Sequence, residues 1–89
     1  MQVHRILYEA PFQKQFRKLP LPIQQRAVKT EKLFRINPFH PSLRLHELKG
    51  KLEGLWSISI TTSYRIIFGA LDNGDVLFIS IGTHSIYEK

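Results

Sequence analysis

The sequence predicts an α+β domain in which an N-terminal strand is followed by a helical hairpin packed on one face of a small, mainly antiparallel sheet. Three observations predict this class. Apolar residues recur at helical spacing between positions 11 and 37, and they alternate with polar residues between positions 55 and 83. The dipeptide Asn73-Gly74 lies between two alternating segments, and it is a strong β-hairpin signal.

The N-terminal strand is predicted over residues 2–8, and prolines mark the beginnings of both helices. Pro11 suits the first turn of a helix, because its missing N–H group is not needed there. The apolar stripe of this helix consists of Phe12, Phe16 and Leu19. Pro22 opens a second helix, which ends at Asn37. Its buried side consists of Ile23, Ala27, Thr30 and Phe34.

Residues 38–54 form a basic loop with a short strand at about Leu43–Leu48, and three further strands follow at about 55–61, 64–70 and 75–83. A two-residue type I′ turn at Asn73-Gly74 sets the register of the last hairpin. It pairs Phe68 with Ile79, Ile66 with Ile81, Tyr64 with Thr83, Ile67 with Ser80, Arg65 with Gly82 and Ser63 with His84.

The hairpin before it is predicted to have a three-residue loop, Thr61 to Ser63, since only that register keeps one sheet face apolar. The loop pairs Ile60 with Tyr64, Ile58 with Ile66 and Trp56 with Phe68. The helices then cover the apolar face, and no other segment remains to cover the second face fully. That second face is predicted to carry Ser57, Ser59, Arg65, Ile67, Phe78, Ser80 and His84.

Composition limits the function classes. The 89 residues contain no cysteine, which excludes disulfides and thiolate metal sites, and no apolar run is long enough to span a membrane. The N-terminal residues do not resemble a signal peptide, so a cytoplasmic location is expected. The formal net charge of +6 favours nucleic acid or an acidic protein as partner, although a basic domain without a polyanionic partner has the same composition.

Arg65, His84 and His46 are the candidate chemical residues. Arg65 and His84 are predicted diagonal neighbours on one sheet face, and His46 lies in the loop that leads into the sheet. An arginine can hold a phosphate through two hydrogen bonds, and imidazoles transfer protons near neutral pH. Each residue alone also fits a structural or solvated role. Tyr87 could stack on a base or donate to a phosphate. The residues expected to hold RNA phosphates are Arg44, Lys49 and Lys51.

The C-terminal half also carries a family resemblance. Four segments appear in order, LHELKG, EGLWSI, SYRIIF and IGTH. With these segments and its order of elements, the chain resembles the RelE/ParE superfamily of bacterial toxins over nearly its whole length, and it is most like the RelE, YoeB and YafQ endonucleases. The resemblance implies one RelE-like domain over residues 1–89.

The resemblance also implies roles for individual residues. Arg65 is similar to the strand arginine that acts on the scissile phosphate, and His84 is similar to the C-terminal catalytic histidine of YafQ. His46 stands where YafQ has a histidine and YoeB a general-base glutamate, and Tyr87 resembles the C-terminal tyrosine of RelE. Where RelE has strand lysines, this chain departs from the pattern with Ser57 and Ser59.

The expected function is therefore that of a type II toxin, a ribosome-dependent mRNA endoribonuclease that uses 2′-hydroxyl attack without metal or cofactor. The expected partners are a cognate antitoxin, the ribosome with its mRNA, and operator DNA through the antitoxin, with no membrane. Two alternatives stay open: a ParE-like toxin that binds gyrase and cleaves nothing, and a catalytically weak toxin-like protein that acts through its antitoxin complex.

Overall fold

The computed structural model describes residues 1–88, which form two α-helices on one face of a five-stranded sheet. The helices and strands are β1 (Ile6–Tyr8), α1 (Ala10–Arg17), α2 (Leu21–Ile36), β2 (His46–Glu47), β3 (Trp56–Ser59), β4 (Arg65–Ala70) and β5 (Val76–Gly82). Short 3₁₀ helices cover Pro41–Leu43, Gly50–Leu52 and His84–Glu88, and the last of these is the C-terminal segment. The sheet order is β1-β5-β4-β3-β2, with only the β1–β5 pair parallel among the described strands. The predicted α+β class is confirmed.

The helices begin and end near the predicted residues. Both have a proline in the first turn, and α2 ends as predicted with Asn37 as its C-cap. Asn37 is extended, as expected for a residue before proline, and its N–H donates to the Leu33 carbonyl at 2.8 Å. Gln24 ties the two helices together, because its Nε2 donates to the Phe16 carbonyl at 3.0 Å and to the Leu19 carbonyl at 3.2 Å.

The main core is an aromatic cluster between the helices and the sheet. Phe34 of α2, Phe68 of β4 and Phe78 of β5 are almost completely buried. The ring centroids lie 5.0 Å apart for Phe34 and Phe68, and 5.9 Å apart for Phe34 and Phe78. Such tilted aromatic contacts stabilise the fold beyond the area that they bury.

The β3–β4 hairpin has the predicted register. Trp56 pairs with Phe68 and Ile58 with Ile66, and the Ile60 N–H donates to the Tyr64 carbonyl at 2.8 Å. The three-residue loop is held by Thr61, whose Oγ1 accepts the backbone N–H groups of residues 63 and 64 at 3.1 Å each.

The predicted type I′ turn is wrong. The Gly74 N–H donates to the Leu71 carbonyl at 3.2 Å, and the Leu71 N–H donates to the Asp75 carbonyl at 2.9 Å, so the loop contains the three residues 72–74. A type I′ turn needs positive φ at both central residues, whereas in this loop only Gly74 has it, at 89°. An Asn-Gly pair also fits a three-residue loop in which glycine occupies the left-handed position.

The extra loop residue changes the pairing near the turn. A bulge between Ile67 and Phe68 places Phe78, not Ile79, opposite Phe68. Phe78 is therefore in the core, and its predicted place on the second face is wrong. Beyond the bulge the predicted pairs return, with Ile66 opposite Ile81 and Arg65 opposite Gly82. The pairs predicted beyond these, Tyr64 with Thr83 and Ser63 with His84, are not formed, because β5 ends at Gly82.

The second face is covered, which corrects the expectation that it is open. The C-terminal segment lies on it, with Ile86 only 6% exposed, and Ile67 and Ser57 beneath are 2% and 0% exposed. Gly82 permits this contact, since a Cβ atom there would lie 2.8 Å from Cγ2 of Ile86. At the far edge, Arg5 and Asp75 form an ion pair of 2.6 Å between Nη2 and Oδ2. Within residues 1–88, no helix is long and apolar enough to cross a membrane.

Candidate active site

Arg65 lies on the second face, as predicted. It is half-buried near the start of β4 and pairs with Ser59 across the hairpin. Its Nη1 donates to the Ser59 hydroxyl, and that serine is only 8% exposed. The guanidinium is therefore held at a defined position on the sheet.

His46 lies on the edge strand β2, directly opposite Ser57. Its side chain is exposed, and Nδ1 lies 3.1 Å from the Arg44 carbonyl oxygen. Because a carbonyl oxygen only accepts hydrogen bonds, this contact places the proton on Nδ1. In the neutral ring, Nε2 is then left with its lone pair and can accept a proton from a substrate.

The C-terminal segment brings His84 and Tyr87 to the same place. The Tyr87 hydroxyl is 2.7 Å from the Ser57 hydroxyl, and the rings of Tyr87 and His84 meet edge to face with centroids 4.9 Å apart. Ser57 and Ser59 lie two residues apart on β3, roughly 7 Å. The two serines thus anchor Tyr87 and Arg65 at adjacent positions of one strand.

His46, His84 and Tyr87 line a cavity of about 390 Å³, here named the histidine cavity. Its lining consists of His46, Leu48, Lys49, Lys51, Leu52, His84 and Tyr87. Five predicted site residues are therefore brought together, and no carboxylate lies among the lining residues. Arg65 and Arg44 do not line this cavity: Arg65 is hydrogen-bonded to Ser59, two residues after Ser57 on β3, and Arg44 lines a separate cleft.

Another cavity, of about 410 Å³, lies between α1 and α2. No predicted site residue and no imidazole line it, and much of its wall is core side chains such as Phe12 and Phe78. The histidine cavity is the better candidate for proton-transfer chemistry, because two imidazoles, a phenol and two ammonium groups meet there. No cluster of three or more His, Asp or Glu suited to a metal ion occurs among residues 1–88.

Sequence reasoning missed two features of this site. It did not foresee that Ser57 anchors Tyr87, because hydroxyl contacts between distant segments leave no periodic signal. It also did not foresee the C-terminal cover, although the apolar pair Ile86-Tyr87, four residues after the last strand ends, was a usable signal for a segment that folds back.

No family model and no curated protein match this chain. Several solved structures do match it. A YoeB/ParE toxin from Agrobacterium tumefaciens superposes with a TM-score of 0.76 at 16% identity, over 91% of this chain and 99% of that one. The chain has the RelE/ParE toxin fold.

Two other solved structures show the same likeness. YafQ from E. coli strain BL21(DE3) matches with a TM-score of 0.71 at 20% identity, covering 97% of this chain and all of that one. RelE of the RelE–RelB complex from Pyrococcus horikoshii OT3 matches with a TM-score of 0.72 at 16% identity, covering 93% and 96%. At such identities the RelE/ParE likeness establishes the architecture, and the chemistry must be argued from this chain's own residues.

Proposed function

We propose that this protein is the toxin of a type II toxin–antitoxin system and that it cleaves mRNA on the ribosome. The observation that carries the proposal is the histidine cavity, in which His46, His84 and Tyr87 converge with Lys49 and Lys51. Two proton-transfer groups beside cations fit the cleavage of an RNA phosphodiester by its own 2′-hydroxyl.

His46 is assigned as the base. Its Nε2 accepts the proton of the 2′-hydroxyl, which attacks the adjacent phosphorus. The bond from phosphorus to the 5′-oxygen breaks, leaving a 2′,3′-cyclic phosphate and a 5′-hydroxyl end. The departing oxygen takes its proton from His84 or Tyr87. All groups required for these proton transfers are side chains of the cavity.

Arg65 is assigned to stabilise the negative charge that grows on the phosphorane oxygens. Its fixed position on Ser59 supports this role, because a donor held in place before the reaction needs no reorganisation during it. Ser59 and Ser57, which stand where RelE has lysines, orient Arg65 and Tyr87 in this scheme. The serines argue against the alternative of a catalytically weak protein, since Ser57 is hydrogen-bonded to Tyr87 and Ser59 to Arg65.

Lys49 and Lys51 at the cavity and Arg44 beside it are assigned to hold backbone phosphates. All three side chains are exposed, as this role requires. Phosphate contacts position the RNA without reading its sequence. Their contribution to affinity should fall steeply as salt increases.

We assign a cognate antitoxin as the protein partner and the cytoplasm as the location. The archaeal RelE of the same fold was solved in a complex with RelB, which supports an antitoxin for this chain. Phe78 is buried in the core beneath the helices and cannot form its docking surface, and Ile67 is buried while the C-terminal segment is in place. An antitoxin can instead cover the histidine cavity or displace the C-terminal segment, and operator DNA would be reached through the antitoxin.

Primer extension on a message translated with and without the purified protein tests the proposal. We expect new 5′ ends within codons of the translating message and none on the same RNA without ribosomes. His46→Ala is the control for contaminating nucleases. An intact message together with blocked supercoiling by gyrase would refute the proposal in favour of the ParE-like alternative.

A further inference from the structure

A second basic cleft lies where α2 approaches the end of β3 and the β3–β4 loop. It consists of two cavities of about 230 and 170 Å³, which share Arg26, Ser42, Ser59 and Ile60. Lys29 extends the lining on one side, and Arg44 extends it on the other. This group of residues is named the arginine cleft.

The charges of the arginine cleft are uncompensated. Arg26, Lys29 and Arg44 are exposed, no Asp or Glu lines either cavity, and the three side chains form no ion pair in the described part of the chain. Three like charges around one concave surface repel one another, and an anion in the cleft removes that repulsion. Thr61, which also lines the cleft, accepts two backbone N–H groups through Oγ1, so its own hydroxyl hydrogen is available to a ligand.

Ser59 connects the cleft to the candidate active site. It lines both cavities of the cleft, and its hydroxyl accepts the hydrogen bond from Arg65. The cleft therefore lies next to the side chain that holds the Arg65 guanidinium, which the proposed function assigns to the scissile phosphate.

We infer that the arginine cleft binds the RNA phosphate next to the scissile one, with Arg26 and Lys29 as its main cations. This inference rests on the proposed function for the identity of the scissile phosphate. The cleft then fixes the position of the RNA strand relative to Arg65. It also places the preceding or following nucleotide away from the reacting groups. Neither Arg26 nor Lys29 touches the reacting atoms in this scheme.

Salt-dependent binding tests the cleft without cleavage. The probe is a short, fluorescein-labelled, fully 2′-O-methylated single-stranded RNA, which has no attacking hydroxyl. Arg26→Gln/Lys29→Gln should weaken binding roughly tenfold at about 0.1 M salt, and should reduce the slope of log affinity against log salt by about 0.7 for each phosphate that is no longer neutralised. The matched control is Arg17→Gln/Lys18→Gln on α1, which removes the same charges from exposed positions outside the cleft. Equal effects of the two double variants would overturn the inference.

A message with one neutral methylphosphonate linkage tests the position. On programmed ribosomes, this substitution next to the cleavage site should abolish the difference between the parent and Arg26→Gln/Lys29→Gln, because both changes remove the same charge interaction. Additive losses would overturn the assignment to the neighbouring phosphate. A loss of binding to a polyglutamate peptide, with RNA binding unchanged, would overturn it in favour of an acidic protein ligand. A parent that binds the RNA through the cleft and cleaves no message would refute the proposed function while supporting the cleft as a phosphate site.

Discussion

The two faces of the sheet are built from different chemistry, although the same strands form both. The face beneath the helices is aromatic and buried: Phe68 and Phe78 pack against Phe34 of α2, and all three are at most 1% exposed. The other face carries Ser57, Ser59 and Arg65, whose side chains are joined to partners by hydrogen bonds. Its cover is a single turn-like segment of five residues.

The residues that stabilise the fold and the candidate catalytic residues therefore lie on different faces of the sheet. A core of large apolar side chains supplies most of the free energy of folding and tolerates little change. The second face contributes less, because its apolar contacts are few: Ile67 and Ile86 are buried there beside Ser57, Ser59 and Arg65. We therefore expect substitutions on the helix-covered face to lower the free energy of unfolding, and substitutions on the second face to slow cleavage.

The largest expected effect lies on the helix-covered face. Phe34→Ala should lower the free energy of unfolding by about 3–5 kcal/mol, since it removes a ring with no exposed surface and leaves a cavity against Phe68 and Phe78. Urea denaturation measures the loss. Ile36→Ala is the control, because Ile36 is 83% exposed and should change little. A loss below about 1 kcal/mol at Phe34 would contradict the division between the faces.

On the other face, the large effect should be on cleavage. Arg65→Ala should slow cleavage about a hundredfold, or on the order of 3 kcal/mol, and change stability by less than about 1 kcal/mol. His46→Ala should cost about 10²-fold or more. Single-turnover cleavage on saturating ribosomes separates chemistry from affinity. If His46→Ala cleaves at the parent rate there, His46 is not the base.

The cover itself can be displaced. Gly82→Ala should push Ile86 away and cost about 1–3 kcal/mol of stability, because the new Cβ atom would lie 2.8 Å from Cγ2 of Ile86. Amide exchange of residues 83–88 should rise. Gly69→Ala is the matched control, since its Cβ would meet side chains only at 3.5 Å or beyond. Similar exchange in both variants would show that the C-terminal segment does not depend on this contact.

A smaller loss of stability is expected where the C-terminal segment is hydrogen-bonded to β3. Ser57→Ala removes the hydrogen bond to Tyr87 and should cost about 1 kcal/mol in stability, because one buried hydrogen bond contributes about that much. Tyr87→Phe removes the same bond together with the candidate acid. Cleavage should therefore fall further in Tyr87→Phe than in Ser57→Ala. Equal cleavage by the two variants would limit Tyr87 to a positioning role.

The smallest effect lies at the sheet edge, outside both faces. The hydrogen bond from Arg5 holds the pKa of the Asp75 carboxyl below its ordinary value. A lowered folded-state pKa means that this stabilisation is complete above the ordinary aspartate pKa of about 3.9 and is lost as the pH falls through the lowered value. Melting temperatures of the parent and Asp75→Asn should converge in that acidic range. Melting temperatures that diverge as the pH falls would contradict the lowered pKa of Asp75.

Several parts of the fold and site were predictable from local pattern. The alternation in β3 and β4 determined which residues face the helices, because a slip by one residue would expose that entire set. The same alternation placed Arg65 with Ser57 and Ser59 on the second face. Proline positions predicted the helix starts, since proline is accommodated best in a first turn.

The sequence by itself therefore determined the fold class, the helix starts and the face on which Arg65 lies, because these depend on residue type and period. Tertiary structure alone decided the rest. The choice between two-residue and three-residue loops at Gly74 depends on the bulge that brings Phe78 into the core. The closure of the second face depends on Ile86 lying against Gly82, two residues that the periodic pattern does not link. Both are decided by the packing of segments against each other, which no local period records.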